Sequence, residues 1–220
     1  MTESDFGLCG PCWRETPFIG GLVCASCGVP LPGEDDGDRV ECDDCMRQPP
    51  PWSEGRGTLL YAGKARALVL ALKHGDRTEL ARPAARWIAQ AGRSLFRSDM
   101  LIAPVPLHWS RLLKRRYNQS ALLAQHLGKV VGLPVCPDLL LRSRRTPALE
   151  GKTAAERTET LRDAITVHPR RADRLTGRHV LLVDDVMTSG ATLAACARAC
   201  RAAGADDISV LVLARVAKDA

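Results

Sequence analysis

The chain has 220 residues, 45% of them hydrophobic, enough to bury one full core with something small attached. No segment approaches the roughly 18 apolar residues of a membrane span, and no basic-then-apolar leader opens the sequence, so the cytoplasm is the expected compartment. The formal charge of +6 hides an asymmetry: residues 1–50 carry ten acidic and three basic side chains, a net of −7, whereas residues 51–220 carry 28 basic and 15 acidic ones, a net of +13. Such a split points to two units with different partners, the basic one suited to nucleic acid or phosphorylated small molecules. Solubility alone is the plainer account of the same charge.

Residues 1–48 show little apolar periodicity but hold three Cys-x-x-Cys pairs, Cys9/Cys12, Cys24/Cys27 and Cys42/Cys45. In the cytoplasm such pairs read as metal ligands rather than disulfides. Each can form a knuckle presenting two thiolates, and two knuckles complete a tetrahedral Zn²⁺ site with sulfurs about 2.3 Å from the ion. Cys24, Cys27, Cys42 and Cys45 look like one complete ribbon, with Gly28 allowing the tight turn after the second cysteine. Cys9 and Cys12 then form half of a second. The remaining three cysteines are expected in the core; Cys196 and Cys200 lie four apart on one helix side among alanines.

Pro49-Pro50-Pro51 reads as a stiff extended linker, assigned to residues 49–57. Beyond it, in 58–220, elements alternate in the βα manner. Thr58–Ala62 reads as a strand. Ala65–Lys73 and Leu80–Ala91 read as helices, the first with an apolar stripe of Leu68, Val69 and Leu72. Met100–Val105 is a short buried strand stopped by prolines, Gln119–Val131 a helix, and Pro134–Leu141 a strand. Arg142–Glu159 is polar and reads as a long loop running into a helix. Val180–Asp184 and Ile208–Ala214 are the last strands, separated by a helix over Leu193–Ala203. The alternation predicts an α/β fold with a mostly parallel sheet and helices on both faces.

The most informative stretch is Val180-Leu181-Leu182-Val183-Asp184-Asp185-Val186-Met187-Thr188-Ser189-Gly190-Ala191-Thr192. A buried parallel strand delivers two carboxylates to its carboxyl end, where open α/β sheets bind ligands. Thr188, Ser189, Gly190, Ala191 and Thr192 follow, leading into a helix, so hydroxyls, backbone N–H groups and a helix N-terminus converge as a phosphate cradle. Asp184 and Asp185 suit the 2- and 3-hydroxyls of a sugar, with Mg²⁺ nearby. An acidic turn and an ordinary Ser/Thr cap is the plainer alternative.

This string resembles the phosphoribosyl-pyrophosphate motif of type I phosphoribosyltransferases. Taken with the cysteine pairs and with Leu72-Lys73-His74-Gly75, Pro104-Val105-Pro106-Leu107-His108, Arg115-Arg116-Tyr117-Asn118-Gln119-Ser120, Arg144-Arg145-Thr146-Pro147 and Lys152-Thr153-Ala154-Ala155-Glu156-Arg157, it makes the whole chain similar to the ComF family of competence proteins. The resemblance implies a phosphoribosyltransferase-like domain with structural Zn²⁺ and, with phosphoribosyl pyrophosphate or a similar sugar phosphate, Mg²⁺. It also implies a role in natural transformation, with single-stranded DNA and other competence proteins as partners. Family members usually carry a further Cys-x-x-Cys upstream; here Cys9/Cys12 resembles their second pair.

Arg111, Arg115, Arg116 and Lys73 are the candidates to neutralise pyrophosphate or DNA phosphate, because the guanidinium fork matches phosphate oxygens. Solvated basic residues at a helix start are the plainer reading of any one of them. The loop from Arg142 to Arg157 takes the position of the hood that shields this superfamily's reaction from water. Gly151-Lys152-Thr153 is not a P-loop, since residue 146 is threonine where the first glycine should fall. Trp52, Trp87, Trp109, Tyr61 and Tyr117 are the aromatic groups available to stack on bases, with Trp87 better suited to helix packing. Two functions follow: a DNA-handling protein that keeps a phosphoribosyl pocket, and a Mg²⁺-dependent phosphoribosyltransferase for a small acceptor.

Overall fold

A computed structural model describes residues 7–74, 76–143 and 164–217. Its centre is a four-stranded parallel sheet in the order β1-β6-β5-β2, formed by β1 (Glu54–Leu60), β2 (Leu101–Pro104), β5 (His179–Met187) and β6 (Asp207–Arg215). The strands β3 (Leu140–Arg142) and β4 (Ile165–Val167) form a separate antiparallel pair. Helices α3 (Gly63–His74), α4 (Ala81–Ala91), α5 (Trp109–Arg115), α6 (Gln119–Val131) and α7 (Ala191–Ala202) accompany the sheet; α1 (Gly10–Glu15) and α2 (Asp43–Arg47) belong to the N-terminal segment. This is the expected α/β architecture. Among the described residues no helix is long and apolar enough to cross a membrane.

The period of two along a strand sorts the apolar residues of β5 and β6 onto two cores. Val180, Leu182, Ile208, Val210 and Val212 face α7 and the β3–β4 pair, while Leu181, Val183, Leu211 and Leu213 face α3, α4 and α6. Burial on both faces explains why β5 and β6 read as unbroken apolar runs. Trp87 packs edge-on against Trp13 and Phe18, so it serves helix packing as its position suggested.

Two strand expectations need correction. The first strand runs from Glu54 to Leu60 rather than Thr58 to Ala62, so it starts inside the 49–57 segment. Gly55 and Gly57 lower its β propensity, but a full parallel ladder to β6 overrides this. The expected strand over Pro134–Leu141 is broken by Pro137: Val135 makes one isolated bridge to Ile102, and regular pairing begins only at Leu140. Apart from its first two residues, the predicted loop and helix over Arg142–Glu159 lie outside the described residues.

The cysteine-bearing segment sits directly on the sheet. The N–H of Ile19 donates to Thr58 O and that of Leu60 to Pro17 O, which covers the open edge of β1. Gly28 has φ of +66°, and a Cβ there would lie 2.4 Å from the backbone nitrogen of Gly57. Only glycine allows that turn to approach the strand so closely.

Candidate functional site: a phosphate loop and a four-cysteine centre

The sheet places the candidate residues at one edge. β5 carries Asp184 and Asp185 to its carboxyl end, where the side chain of Asp184 accepts from the Ser120 hydroxyl (2.8 Å) and from the Asp185 N–H (2.8 Å). Ser120 is held there by the N-terminus of α6: Asn118 Oδ1 caps the helix through the Ser120 N–H, and Asn118 Nδ2 donates to Val105 O at the end of β2. Tyr117 anchors the same turn, its hydroxyl donating to Leu72 O at 2.7 Å. The Tyr117–Ser120 segment therefore ties three elements to Asp184.

Burial, reinforced by the charge of Asp185 next door, pushes the Asp184 carboxyl up to about 7. Lys73 Nζ, at the end of α3, lies 3.1 Å from Asp185 Oδ1, with both side chains largely buried. Thr188 and Ser189 are exposed, and Gly190, at φ +74°, turns the chain into α7. Asp184 and the residues from Val186 to Leu193 line a small cleft of about 30 Å³. Beside it lies a larger one of about 340 Å³, lined by Lys73, His74, Asp76, Arg111 and Arg115. Thus Lys73, Arg111 and Arg115 come together next to the acidic pair. Arg116 does not line that cleft; it is the exposed, left-handed C-cap of α5. On α5 Trp109 is 63% exposed, whereas Tyr117 is partly buried and Trp52 almost fully so.

Sequence reasoning had not singled out Arg142, Ser120 or Arg215 as site residues. Arg142 ends β3 and is buried; burial lowers its guanidinium's proton affinity, Arg111 adding to the effect and Asp184 opposing it. Its run of arginines and serine looks like solvated loop, so only the fold reveals the burial.

The second centre is Cys24, Cys27, Cys42 and Cys45, whose four sulfurs all lie within 4.8 Å of one another. The Cys42 N–H donates to Cys24 Sγ at 3.4 Å. A hydrogen bond from the Cys27 thiol, helped by backbone N–H groups, holds the Cys24 thiol down to about 4. Donating that proton raises Cys27 instead, and burial pushes Cys45 up to about 12. Four sulfurs so close cannot all ionise unless a cation neutralises them, which is the donor set of a closed structural zinc site. Cys9 and Cys12 belong to no four-donor cluster among the described residues.

Comparison with known proteins bears on both parts of the chain. Residues 1–48 match the double zinc ribbon domain, and residues 118–220 the phosphoribosyl transferase domain. Competence protein F of Haemophilus influenzae is 29% identical over 95% of the chain and 90% of its own length. DNA utilization protein YhgH is 30% identical in Escherichia coli K12 and 31% in Salmonella typhimurium, in each case over 98% of the chain and 93% of the relative. The chain belongs to the ComF family. In it a zinc ribbon accompanies a phosphoribosyltransferase-like domain. The zinc ribbon match and the four-cysteine cluster together support a structural zinc, and the cluster is built from the ribbon that the cysteine spacing completes.

Proposed function

We propose that this ComF protein binds phosphoribosyl pyrophosphate or a similar sugar phosphate in its loop, and uses the adjoining basic cleft on single-stranded DNA during natural transformation. The observation that carries the reading is the convergence at one sheet edge of the Asp184–Asp185 pair, the turn at Thr188–Gly190, the N-terminus of the 12-residue α7 and three cationic side chains. Backbone N–H groups at Thr188–Thr192 take the 5-phosphate, aided by the helix dipole. Asp184 and Asp185 take the ribose hydroxyls. Lys73, Arg111 and Arg115 face a pyrophosphate or the phosphates of a strand, and the exposed Trp109 offers a surface for an unpaired base. Because Lys73 is paired with Asp185, ligand binding must compete for that ammonium.

The two carboxylates are hard oxygen donors that fit Mg²⁺, which when bound supplies charge against the pyrophosphate. The DNA utilization and competence names of the relatives support the DNA-handling reading. The cleft of about 340 Å³ that Lys73, Arg111 and Arg115 line beside the loop also supports a second one, transfer of the phosphoribosyl group to a small acceptor. There, catalysis would rest on positioning and on stabilising charge as pyrophosphate leaves carbon 1. Calorimetry of phosphoribosyl pyrophosphate with Mg²⁺, with and without a single-stranded oligonucleotide, tests the proposal. Binding of both, each altering the other's affinity, is expected. No binding at millimolar sugar phosphate would make the pocket a relic.

A further inference from the structure

We propose that Arg215 and Trp52 are positioning residues that couple the zinc centre to the phosphate loop, so that metal occupancy sets the loop's affinity for anions. The proposal rests on the reading of Thr188–Thr192 as an anion loop.

A single guanidinium spans the two centres. Arg215, the last residue of β6, donates through Nε to Cys27 O at 3.2 Å and brings Nη2 to 3.6 Å from Cys27 Sγ. Through Nη1 it donates to Thr188 O at 2.7 Å and to Met187 O at 3.3 Å, and also to Val216 O. In a planar trans peptide the C=O and the following N–H point in opposite directions. Holding the carbonyls of Met187 and Thr188 against Arg215 therefore aims the N–H groups of Thr188 and Ser189 away from it. Those are two of the donors an anion needs, and the arginine orders them before any ligand arrives.

A second strut runs alongside. Trp52 Nε1 donates to Ser26 O at 2.7 Å, inside the first knuckle. The far edge of the same ring lies 3.0 Å from where a Cβ of Gly190 would stand. The indole thus fills the space beneath the left-handed turn that starts α7, and the knuckle backbone fixes the indole. Both struts end between Cys24 and Cys27, on a segment without apolar periodicity that depends on metal for its fold. Four thiolates around one dication leave a net negative charge, which the Arg215 guanidinium faces.

Release of the metal frees Cys27 O, Cys27 Sγ and Ser26 O from their fixed positions, and both struts lose one end. The loop then has to be ordered by the anion itself. Linkage requires the reciprocal effect: an anion in the loop must tighten zinc by the same factor.

Two measurements on the full chain test this, with ribose 5-phosphate as the probe. Its affinity is measured by calorimetry on zinc-loaded and chelator-stripped protein, and the zinc affinity by competition with a chromogenic chelator, with and without the probe. We expect stripping to weaken the probe about 5- to 150-fold, the usual range of coupling between sites, and the probe to tighten zinc equally. In Arg215→Met and Trp52→Phe, studied zinc-loaded so that a collapse of the stripped protein does not decide the matter, probe affinity should fall and the reciprocal factor should shrink toward one. Arg215→Lys should recover little, because a single ammonium cannot span the knuckle and the loop. A probe that binds loaded, stripped and Arg215→Met protein alike overturns the coupling and leaves the anion loop standing. A probe that fails to bind the loaded wild-type protein overturns the loop reading, and the coupling with it.

Discussion

Gly28→Ala tests how the zinc ribbon is seated on the sheet. Gly28 has φ of +66°, and an added Cβ would stand 2.4 Å from Gly57 N and 2.8 Å from two backbone atoms of Arg56. Those are strand atoms of β1, paired to β6 by a continuous ladder, so they cannot step aside. Gly132 supplies the control, with φ of +71° and nothing within 4 Å of its Cβ position. Gly132→Ala should cost only the left-handed backbone penalty, about 1–2 kcal/mol. Gly28→Ala carries that penalty plus an overlap worth about 1–3 kcal/mol in a packed site, a total of about 2–5 kcal/mol. At roughly 2–4 °C per kcal/mol for a chain of this size, the control should melt about 2–8 °C lower and Gly28→Ala about 4–20 °C lower. Calorimetric melting and zinc content on the same samples give the answer, and Gly28→Ala should also hold less metal, because Cys27 is carried by the displaced turn. Equal melting temperatures with full zinc in both variants would refute the close seating of the knuckle on β1.

Elemental analysis of the chelator-free protein should find at least one zinc, and Cys24→Ser should release it while Cys9→Ser changes the metal content much less. Asp184→Asn combined with Asp185→Asn should weaken phosphoribosyl pyrophosphate binding by about 1.5–3 kcal/mol for each charge-assisted hydrogen bond lost, as read by calorimetry, and leave the sheet folded by circular dichroism. The raised Asp184 carboxyl also predicts a pH effect: between its unfolded value of 3.8 and about 7 the folded state holds the extra proton, so this group's contribution to stability falls as pH rises through that window. Asp184→Asn should remove that slope from melting curves recorded against pH, and an unchanged slope would count against the burial of the group. For DNA, anisotropy titrations of a single-stranded oligonucleotide across a salt series should show a log–log slope that Arg111→Ala with Arg115→Ala flattens by about one to two units, at roughly 0.7 per phosphate. An unaltered slope would move the strand elsewhere.

The sequence by itself determined the features whose cause is local. An unbroken apolar run ending in Asp184-Asp185 needs a strand buried on both faces, and β5 is the second strand from one edge of the sheet, covered on both. Gln119–Val131 was legible to the residue because Asn118 caps its start and Gly132, at φ +71°, closes its end. The spacing of Cys24, Cys27, Cys42 and Cys45 likewise picked out four cysteines that the fold brings together, since each pair forms its own turn. What only the tertiary structure decided depends on residues far apart in sequence. β1 begins at Glu54, against its glycines' propensity, because β6, more than 150 residues later, supplies the ladder. Lys73 meets Asp185, Ser120 meets Asp184, and Arg215 spans Cys27 and Thr188. Periodicity and spacing report the state of a segment and the face it buries, not which distant side chain will share that face. Those pairings arise when parallel strands bring their carboxyl ends to one edge, and the candidate site consists of them.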